Sequence, residues 1–272
     1  MKLFCLFSDE RVFRSKAPDI YSSIFKKIGI QAKYIPFKIL PGDIGKAMQS
    51  LKVLNIDGAS ITMPYKESVL PYIDILSEGA NIIQAVNTVI RSGDKLKGYN
   101  TNAIGFMDTL EEAKFSINDK TALVFGTGGA AKAIVFILNW LRADSVTITG
   151  RSSERLNLIA KKFGGKTEYI NSIAEKPLTA DIIINATSVS SADTSSEFAQ
   201  MITNLDIRNC ELIIDLNYGK KNNLWKTLAK SNKIKFIDGL TPLSHSARRN
   251  LILWTKIDVD YKEFRKAAHK SM

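Results

Sequence analysis

The chain has 272 residues, 45% of them hydrophobic, and a formal charge of +11. That length and apolar content can bury a sizeable core and favour two modest domains over one, while two cysteines, Cys5 and Cys210, exclude a disulfide framework and a cysteine-built metal cluster and read as small core residues of a reduced, intracellular protein. The positive charge is dispersed over single lysines and pairs such as Lys26-Lys27 and Lys161-Lys162, with no basic run, zinc spacing or aromatic RNA-binding signature, so no nucleic-acid partner is expected; an anionic cofactor and an acidic substrate suit it better.

The first apolar run, Leu3 to Phe7, is cut by Asp9 and Glu10 and is too short for a signal-peptide core. No stretch approaches a membrane span, so a cytoplasmic protein without a membrane partner is expected. Strands are predicted at Lys2–Phe7, Ala32–Phe37 and Gly58–Met63, with Ile20, Ile24, Phe25 and Ile28 on one face of the first intervening helix. Thr88–Arg91 and Leu96–Tyr99 flank the turn Ser92-Gly93-Asp94, and a helix is expected from Ala103 to Lys114. Further strands are predicted at Ser145–Thr149, Ile182–Asn185, Leu212–Leu216 and Ile234–Ile237, and the last thirty residues read as helical. This alternation predicts an α/β protein with mostly parallel sheets covered by helices and a ligand cleft at the C-terminal ends of the strands, between the two halves.

The most informative stretch is Thr121-Ala-Leu-Val-Phe-Gly-Thr-Gly-Gly-Ala-Ala, an apolar run that passes through glycines into the helix-forming segment Ala130–Leu141. Gly126, Gly128 and Ala131 occupy the first, third and sixth positions of the G-x-G-x-x-G/A fingerprint, which provides a tight turn, close approach to a pyrophosphate and close helix packing. The phosphates would meet the free N–H groups at the helix start, around Gly128, Gly129 and Ala130. A Rossmann-type dinucleotide domain follows. At the end of the next strand an NAD site wants an acid about twenty residues past the glycines to hold the ribose 2′-OH. Here the chain reads Gly150-Arg151-Ser152-Ser153-Glu154-Arg155. Arg151 and Arg155 instead suit a 2′-phosphate, which predicts NADP(H).

Polar clusters in the first half bring a resemblance into view. Ser60-Ile-Thr-Met-Pro-Tyr-Lys-Glu, Gln84-Ala-Val-Asn-Thr and Gly98-Tyr-Asn-Thr-Asn-Ala-Ile-Gly, together with the glycine loop, Asn185-Ala-Thr-Ser, Asp215-Leu-Asn-Tyr and Gly239-Leu, resemble the ordered motifs of the shikimate dehydrogenase family over essentially the whole chain. The resemblance implies a substrate domain of residues 1–101 plus 240–272, its C-terminal helices returning to it, and an NADP-binding domain of residues 102–239. It also implies reversible hydride transfer between NADP(H) and a shikimate-like cyclic hydroxy acid by a monomer or homodimer, with Lys66 handling the proton at the reacting carbon. Ser15, Ser60, Thr62, Asn87, Tyr218 and Ser246 then match substrate-contacting positions. Gly126, Gly128, Gly129, Ala130, Arg151, Arg155, Thr187 and Gly239 match the cofactor side.

Four departures fall on the substrate side. The loop Phe13-Arg14-Ser15-Lys16-Ala17-Pro18 keeps one of the family's two carboxylate-gripping serines; Ser60 replaces an asparagine; Ser246 replaces a glutamine; and Asn102 stands where the family has the aspartate that pairs with the lysine. Without that carboxylate Lys66 should have a lower pKa. Three readings stay open: a shikimate dehydrogenase, a paralogue for a related ring acid of quinate or aminoshikimate type, and a non-catalytic NADPH-binding protein. Arg248 and Arg249 favour the second if they face the cleft. His245 reads as a packing or surface histidine, and Leu251, Leu253 and Trp254 as core anchors of the returning helix.

Overall fold

The computed structural model describes residues 1–175, 177–219 and 221–270. Ser271 and Met272, the end of the segment expected to be helical, lie outside the described residues. The chain divides into two compact units, Met1–Gly105 with the chain from Leu243 onward, and Phe106–Pro242.

In the first unit β1 (Lys2–Ser8), α1 (Ala17–Lys27), β2 (Ala32–Lys38), α2 (Ile44–Val53), β3 (Gly58–Ile61), β4 (Ile75–Leu76), α3 (Glu78–Ile83), β5 (Thr88–Ser92) and β6 (Lys95–Tyr99) build a six-stranded sheet ordered β2-β1-β3-β5-β6-β4. β1 runs parallel to β2 and β3, while β5 is antiparallel to β3 and β6. The β5–β6 hairpin closes through Gly93, whose φ of 60° suits the two-residue turn. The chain enters the second unit within α4 (Thr101–Glu112).

The second unit contains β7 (Thr121–Phe125), α5 (Gly129–Trp140), β8 (Ser145–Gly150), α6 (Ser153–Phe163), β9 (Lys166–Tyr169), β10 (Leu178–Thr179), β11 (Ile182–Asn185), α7 (Ser196–Thr203), β12 (Ile207–Arg208), β13 (Leu212–Asp215), α8 (Leu224–Ser231) and β14 (Lys235–Asp238). Its six-stranded sheet, ordered β14-β13-β11-β7-β8-β9, is parallel throughout. β11 and β13 are buried at every position, as strands covered on both faces must be. The mixed first sheet and the parallel second one make this an α/β protein. α9 (Leu240–Thr255) leads back to the first unit, and α10 (Tyr261–Lys270) completes it. No helix among the described residues is long and apolar enough to cross a membrane.

Three sequence expectations need correction. β3 stops at Ile61 rather than Met63, because Pro64 has no N–H for a ladder and residues 62–69 turn instead. β9 went unpredicted because Lys-Thr-Glu-Tyr carries no apolar run; it is an edge strand whose residues are largely exposed. The helical C-terminus is two helices, since Lys256 takes a left-handed φ of 64° and Asp260 Oδ1 accepts the Lys262 N–H at 2.8 Å to start α10.

One face of the first sheet carries an aromatic cluster. Phe4 stacks on Trp254 with ring centroids 4.8 Å apart, Tyr21 stacks on Tyr34 at 4.6 Å, and Phe25 and Phe264 close the group. Trp254 also donates its indole N–H to Val89 O at 3.0 Å, and any Cβ at position 58 would lie 2.5 Å from its Nε1, which is why glycine stands there. Leu251 and Trp254 are buried and Leu253 partly so; His245 packs its ring on Tyr261 with centroids 4.1 Å apart. Trp254→Ala removes a large buried ring and a hydrogen bond together, so a loss of about 3–5 kcal/mol is expected. Urea unfolding followed by circular dichroism measures it; a loss under about 1 kcal/mol would mean that the cluster collapses around the cavity.

Candidate active site

The candidate residues form two sets, one in each unit. In the first, β5 is entered through Asn87 and Thr88, and α4 starts at Thr101, directly after β6. Thr101 N–H donates to Asn87 Oδ1 at 2.7 Å, and Asn87 Nδ2 donates to Thr101 Oγ1 at 2.8 Å and to Asn102 Oδ1 at 3.0 Å. From α9, Ser246 Oγ donates to Asn102 Oδ1 at 3.0 Å and lies 3.0 Å from Thr101 Oγ1. One turn further on, Asn250 Oδ1 accepts from Thr101 Oγ1 at 2.6 Å and Thr88 Oγ1 at 2.7 Å, while its Nδ2 donates to Tyr21 Oη at 3.1 Å. Asn87, Asn102 and Ser246 are thus joined directly, around two hubs absent from the sequence expectation, Thr101 and Asn250. Thr101 stood inside the Asn-Thr-Asn motif, and Asn250 lies four residues after Ser246, hence on the same helix face.

Lys66 reaches this cluster through the backbone: its carbonyl accepts the Val86 N–H at 2.8 Å, beside Asn87. Ile61 N–H donates to Asn87 O at 2.8 Å, which places Thr62 at the same strand end, and Ser60 faces Thr88 across the β3–β5 ladder. Lys66 is only half-exposed, and burial lowers its pKa from 10.5 to about 8, with no carboxylate among the described residues working against the shift. None of the acids near Lys66 in sequence or near its strand end, Asp9, Glu10 and Glu67, contributes to that shift. Asp9 is held by Arg11 at 2.7 Å, and Glu10 and Glu67 are exposed. Ser15 sits outside the network, its hydroxyl accepting the Ala17 N–H at 3.2 Å at the start of α1. Arg248 is held by Asp258 through two bonds of 2.6 Å, and Asp258 also feels Arg249, so the charge-pairing of both belongs to the α9–α10 connection.

In the second unit the glycine loop has the expected form. Gly126 takes a φ of 120°, and a Cβ there would lie 2.9 Å from Ala186 O and 3.2 Å from Thr187 N, so only glycine lets the loop lie against the Thr187 segment. α5 starts at Gly129 with Gly128 as its N-cap and no side chain capping the first turn; a Cβ on the exposed Gly128 would meet nothing within 4 Å. Unclaimed N–H groups facing open space are what a phosphate needs. Arg151, just past β8, and Arg155, in the first turn of α6, are both exposed, and no acid pairs with either among the described residues. Gly239 N–H donates to Asn217 O at 3.0 Å, and a Cβ on Gly239 would overlap Leu216 O, so this position is packed against the segment that carries Tyr218.

The sequence reading placed Asp215 in a motif but gave it no role, and in the fold it is a buried carboxylate that organises these loops. Asp215 is fully buried at the end of β13 and accepts from Asn185 Nδ2 at 2.8 Å, Asn217 Nδ2 at 3.0 Å, Asn217 N–H at 3.1 Å and Asn223 Nδ2 at 2.6 Å. Asn185 in turn takes the Thr187 hydroxyl at 2.7 Å on its Oδ1. Asp215 therefore ties the Thr187 segment to the Tyr218 segment. Burial raises the Tyr218 phenol above its ordinary value.

Two family models match the chain: the shikimate dehydrogenase substrate binding domain over residues 10–89, and shikimate / quinate 5-dehydrogenase over residues 109–231. Among curated relatives, the protein named shikimate dehydrogenase (NADP(+)) of Caldanaerobacter subterraneus subsp. tengcongensis is 34% identical over 90% of this chain and 88% of its own. That of Nitrosopumilus maritimus is 30% identical over 98% and 97%. Among solved structures, shikimate 5-dehydrogenase from Thermus thermophilus in complex with NADP(H) and shikimate superposes with a TM-score of 0.88 at 26% identity, covering 100% of both chains. The shikimate dehydrogenase of Aquifex aeolicus gives 0.86 at 28% identity over 98% and 97%. With both sets of site residues described above carried on this fold, the chain belongs to the shikimate dehydrogenase family.

Proposed function

We propose that the chain is a cytoplasmic NADP-dependent shikimate dehydrogenase, an oxidoreductase acting on a CH–OH group that interconverts 3-dehydroshikimate and shikimate on the route to aromatic amino acids. The observation that carries this is Lys66, a lysine brought to a pKa of about 8 by burial and anchored beside the Asn87–Asn102–Ser246 cluster. A group so tuned exchanges a proton near neutral pH in either direction.

Bound NADP(H) supplies or accepts the hydride. The N–H groups from Gly129 to Ala131 would hold its pyrophosphate, and Arg151 with Arg155 its 2′-phosphate. In reduction the carbonyl π pair moves onto oxygen as the new C–H bond forms, the oxygen takes a proton from the Lys66 ammonium, and water reprotonates the amine. In oxidation neutral Lys66 accepts the hydroxyl proton as hydride leaves the same carbon. Thr62 and Ser60 would offer hydroxyls to the ring acid, as the family's motifs imply, whereas Asn87 commits both Nδ2 hydrogens within the protein and keeps one Oδ1 lone pair for a ligand.

Mixing the protein with NADP+ and shikimate, with quinate and NAD+ in parallel, and following reduced cofactor by absorbance tests the reading. Accumulation is expected with shikimate and NADP+ and should be slower in the other arms. Silence with shikimate in a protein that still binds NADPH would remove this activity and leave the nucleotide site standing.

A further inference from the structure

Asn102 is the member of the polar cluster whose orientation follows from a group that cannot be turned around. The Thr101 backbone N–H must donate, and it donates to Asn87 Oδ1 at 2.7 Å. Asn87 therefore points its Nδ2 at Thr101 Oγ1 and at Asn102, 2.8 and 3.0 Å away, and the Asn102 atom facing it has to be the carbonyl oxygen. Ser246 places a second donor, its hydroxyl, on that oxygen at 3.0 Å. With both Oδ1 lone pairs filled, the amide Nδ2 and its two hydrogens face the other way, on a half-exposed residue, and the hydrogen bonds of the described residues give that nitrogen no acceptor. Lys66 and Asn102 flank Asn87, the one through the Val86 N–H and the other through the hydrogen bond between the two side-chain amides.

We infer that Asn102 donates a hydrogen bond to the reacting oxygen, so that Lys66 is the only proton-exchanging residue at that oxygen and the site recognises the ring acid preferentially in its keto form. The inference rests on the dehydrogenase reading and sharpens it. A carboxylate at this position accepts from a substrate hydroxyl and repels a carbonyl oxygen. The amide has the opposite sign: with the Lys66 ammonium it makes a two-donor cradle for C=O and for the alkoxide that C=O becomes when hydride arrives. In reduction the alkoxide oxygen takes its proton from Lys66 while the Asn102 N–H stays in place. In oxidation the hydroxyl gives its proton to neutral Lys66 and keeps a lone pair on Asn102. No proton passes through residue 102 in either direction.

Affinities of the two non-reacting ternary complexes test this, protein with NADP+ and 3-dehydroshikimate against protein with NADPH and shikimate, each titrated by fluorescence or calorimetry. Wild type is expected to bind the keto acid the more tightly. Asn102→Asp keeps an oxygen for Asn87 and Ser246 and changes only the outward group, so the keto-to-hydroxy affinity ratio should fall by about tenfold or more and reverse, as expected when a hydrogen-bond donor to the ligand becomes a charged acceptor. Asn102→Ala should weaken keto binding without strengthening hydroxy binding, and unchanged NADPH affinity in both variants shows that they are folded. A ratio that Asn102→Asp leaves unmoved, with both ring acids binding, overturns the inference and leaves the activity intact. Wild type that binds neither ring acid overturns the activity and the inference with it.

Discussion

Replacing Lys66 by methionine is expected to lower turnover in both directions by about a hundred- to ten-thousandfold, the usual contribution of a positioned general acid or base, while NADPH affinity stays unchanged. The pH dependence carries the sharper signature. Burial brings Lys66 from 10.5 to about 8. Reduction needs the ammonium, so its rate should be flat at low pH and fall as pH rises through about 8; oxidation needs the neutral amine and should rise through the same pH to a plateau. In Lys66→Met both limbs should vanish. The stability sign follows from the same shift. Between about 8 and 10.5 the unfolded chain holds a proton that the native chain has lost, so this group makes stability rise with pH across that window. Below it, the buried ammonium opposes folding. Lys66→Met should therefore be more stable than wild type at neutral pH, with the gap closing toward pH 10, as expected where a catalytic group is held at the expense of stability. Rates measured from pH 6 to 10 and urea midpoints over the same range check both; a variant that retains the limb near pH 8 would assign it to another group.

Much of the fold was legible because the strands that matter most are the most apolar. Ile182–Ile184 and Leu212–Ile214 are buried at every residue, and the run from Thr121 into the glycines marks the strand, turn and helix of the nucleotide site. β9 escaped because an edge strand has no second neighbour to demand an apolar residue. On the site, the resemblance to the family's motifs pointed to Lys66, Asn87, Asn102 and Ser246, but the roles depend on partners that only folding brings together. Thr101 and Asn250 are 149 positions apart and share a 2.6 Å bond. Arg248 shows the converse. Placed near Ser246 in a helix, it invites a substrate-binding role, yet Asp258, ten positions later and past the break at Lys256, takes it. Asp215 was visible as a lone acid, and nothing local announced that three asparagines would converge on it.

Cofactor choice should depend on two side chains. Arg151 follows the last residue of β8, and Arg155 is held on the first turn of α6, where the Ser152 hydroxyl accepts its N–H at 3.3 Å. Both are exposed, neither has an acidic partner among the described residues, and the nearest acid in sequence, Glu154, is itself exposed. Two such cations at the strand end where the adenosine ribose lies in this fold class favour a 2′-phosphate and offer a 2′-hydroxyl no acceptor. Arg151→Ala is expected to weaken NADPH by about ten- to a hundredfold, the range for losing a hydrogen bond between charged groups. Arg151→Ala/Arg155→Ala should lose more, while NADH affinity changes little, so the NADPH-to-NADH ratio is the quantity to measure. The exposure of both arginines adds a second expectation: the wild-type preference should shrink as salt is raised from about 0.05 to 0.5 M, because exposed charges are screened over that range, and the double variant should show no such dependence. Equal losses for NADPH and NADH would assign Arg151 to stacking on adenine, a contact common to both cofactors, and would leave the 2′-phosphate to another cation.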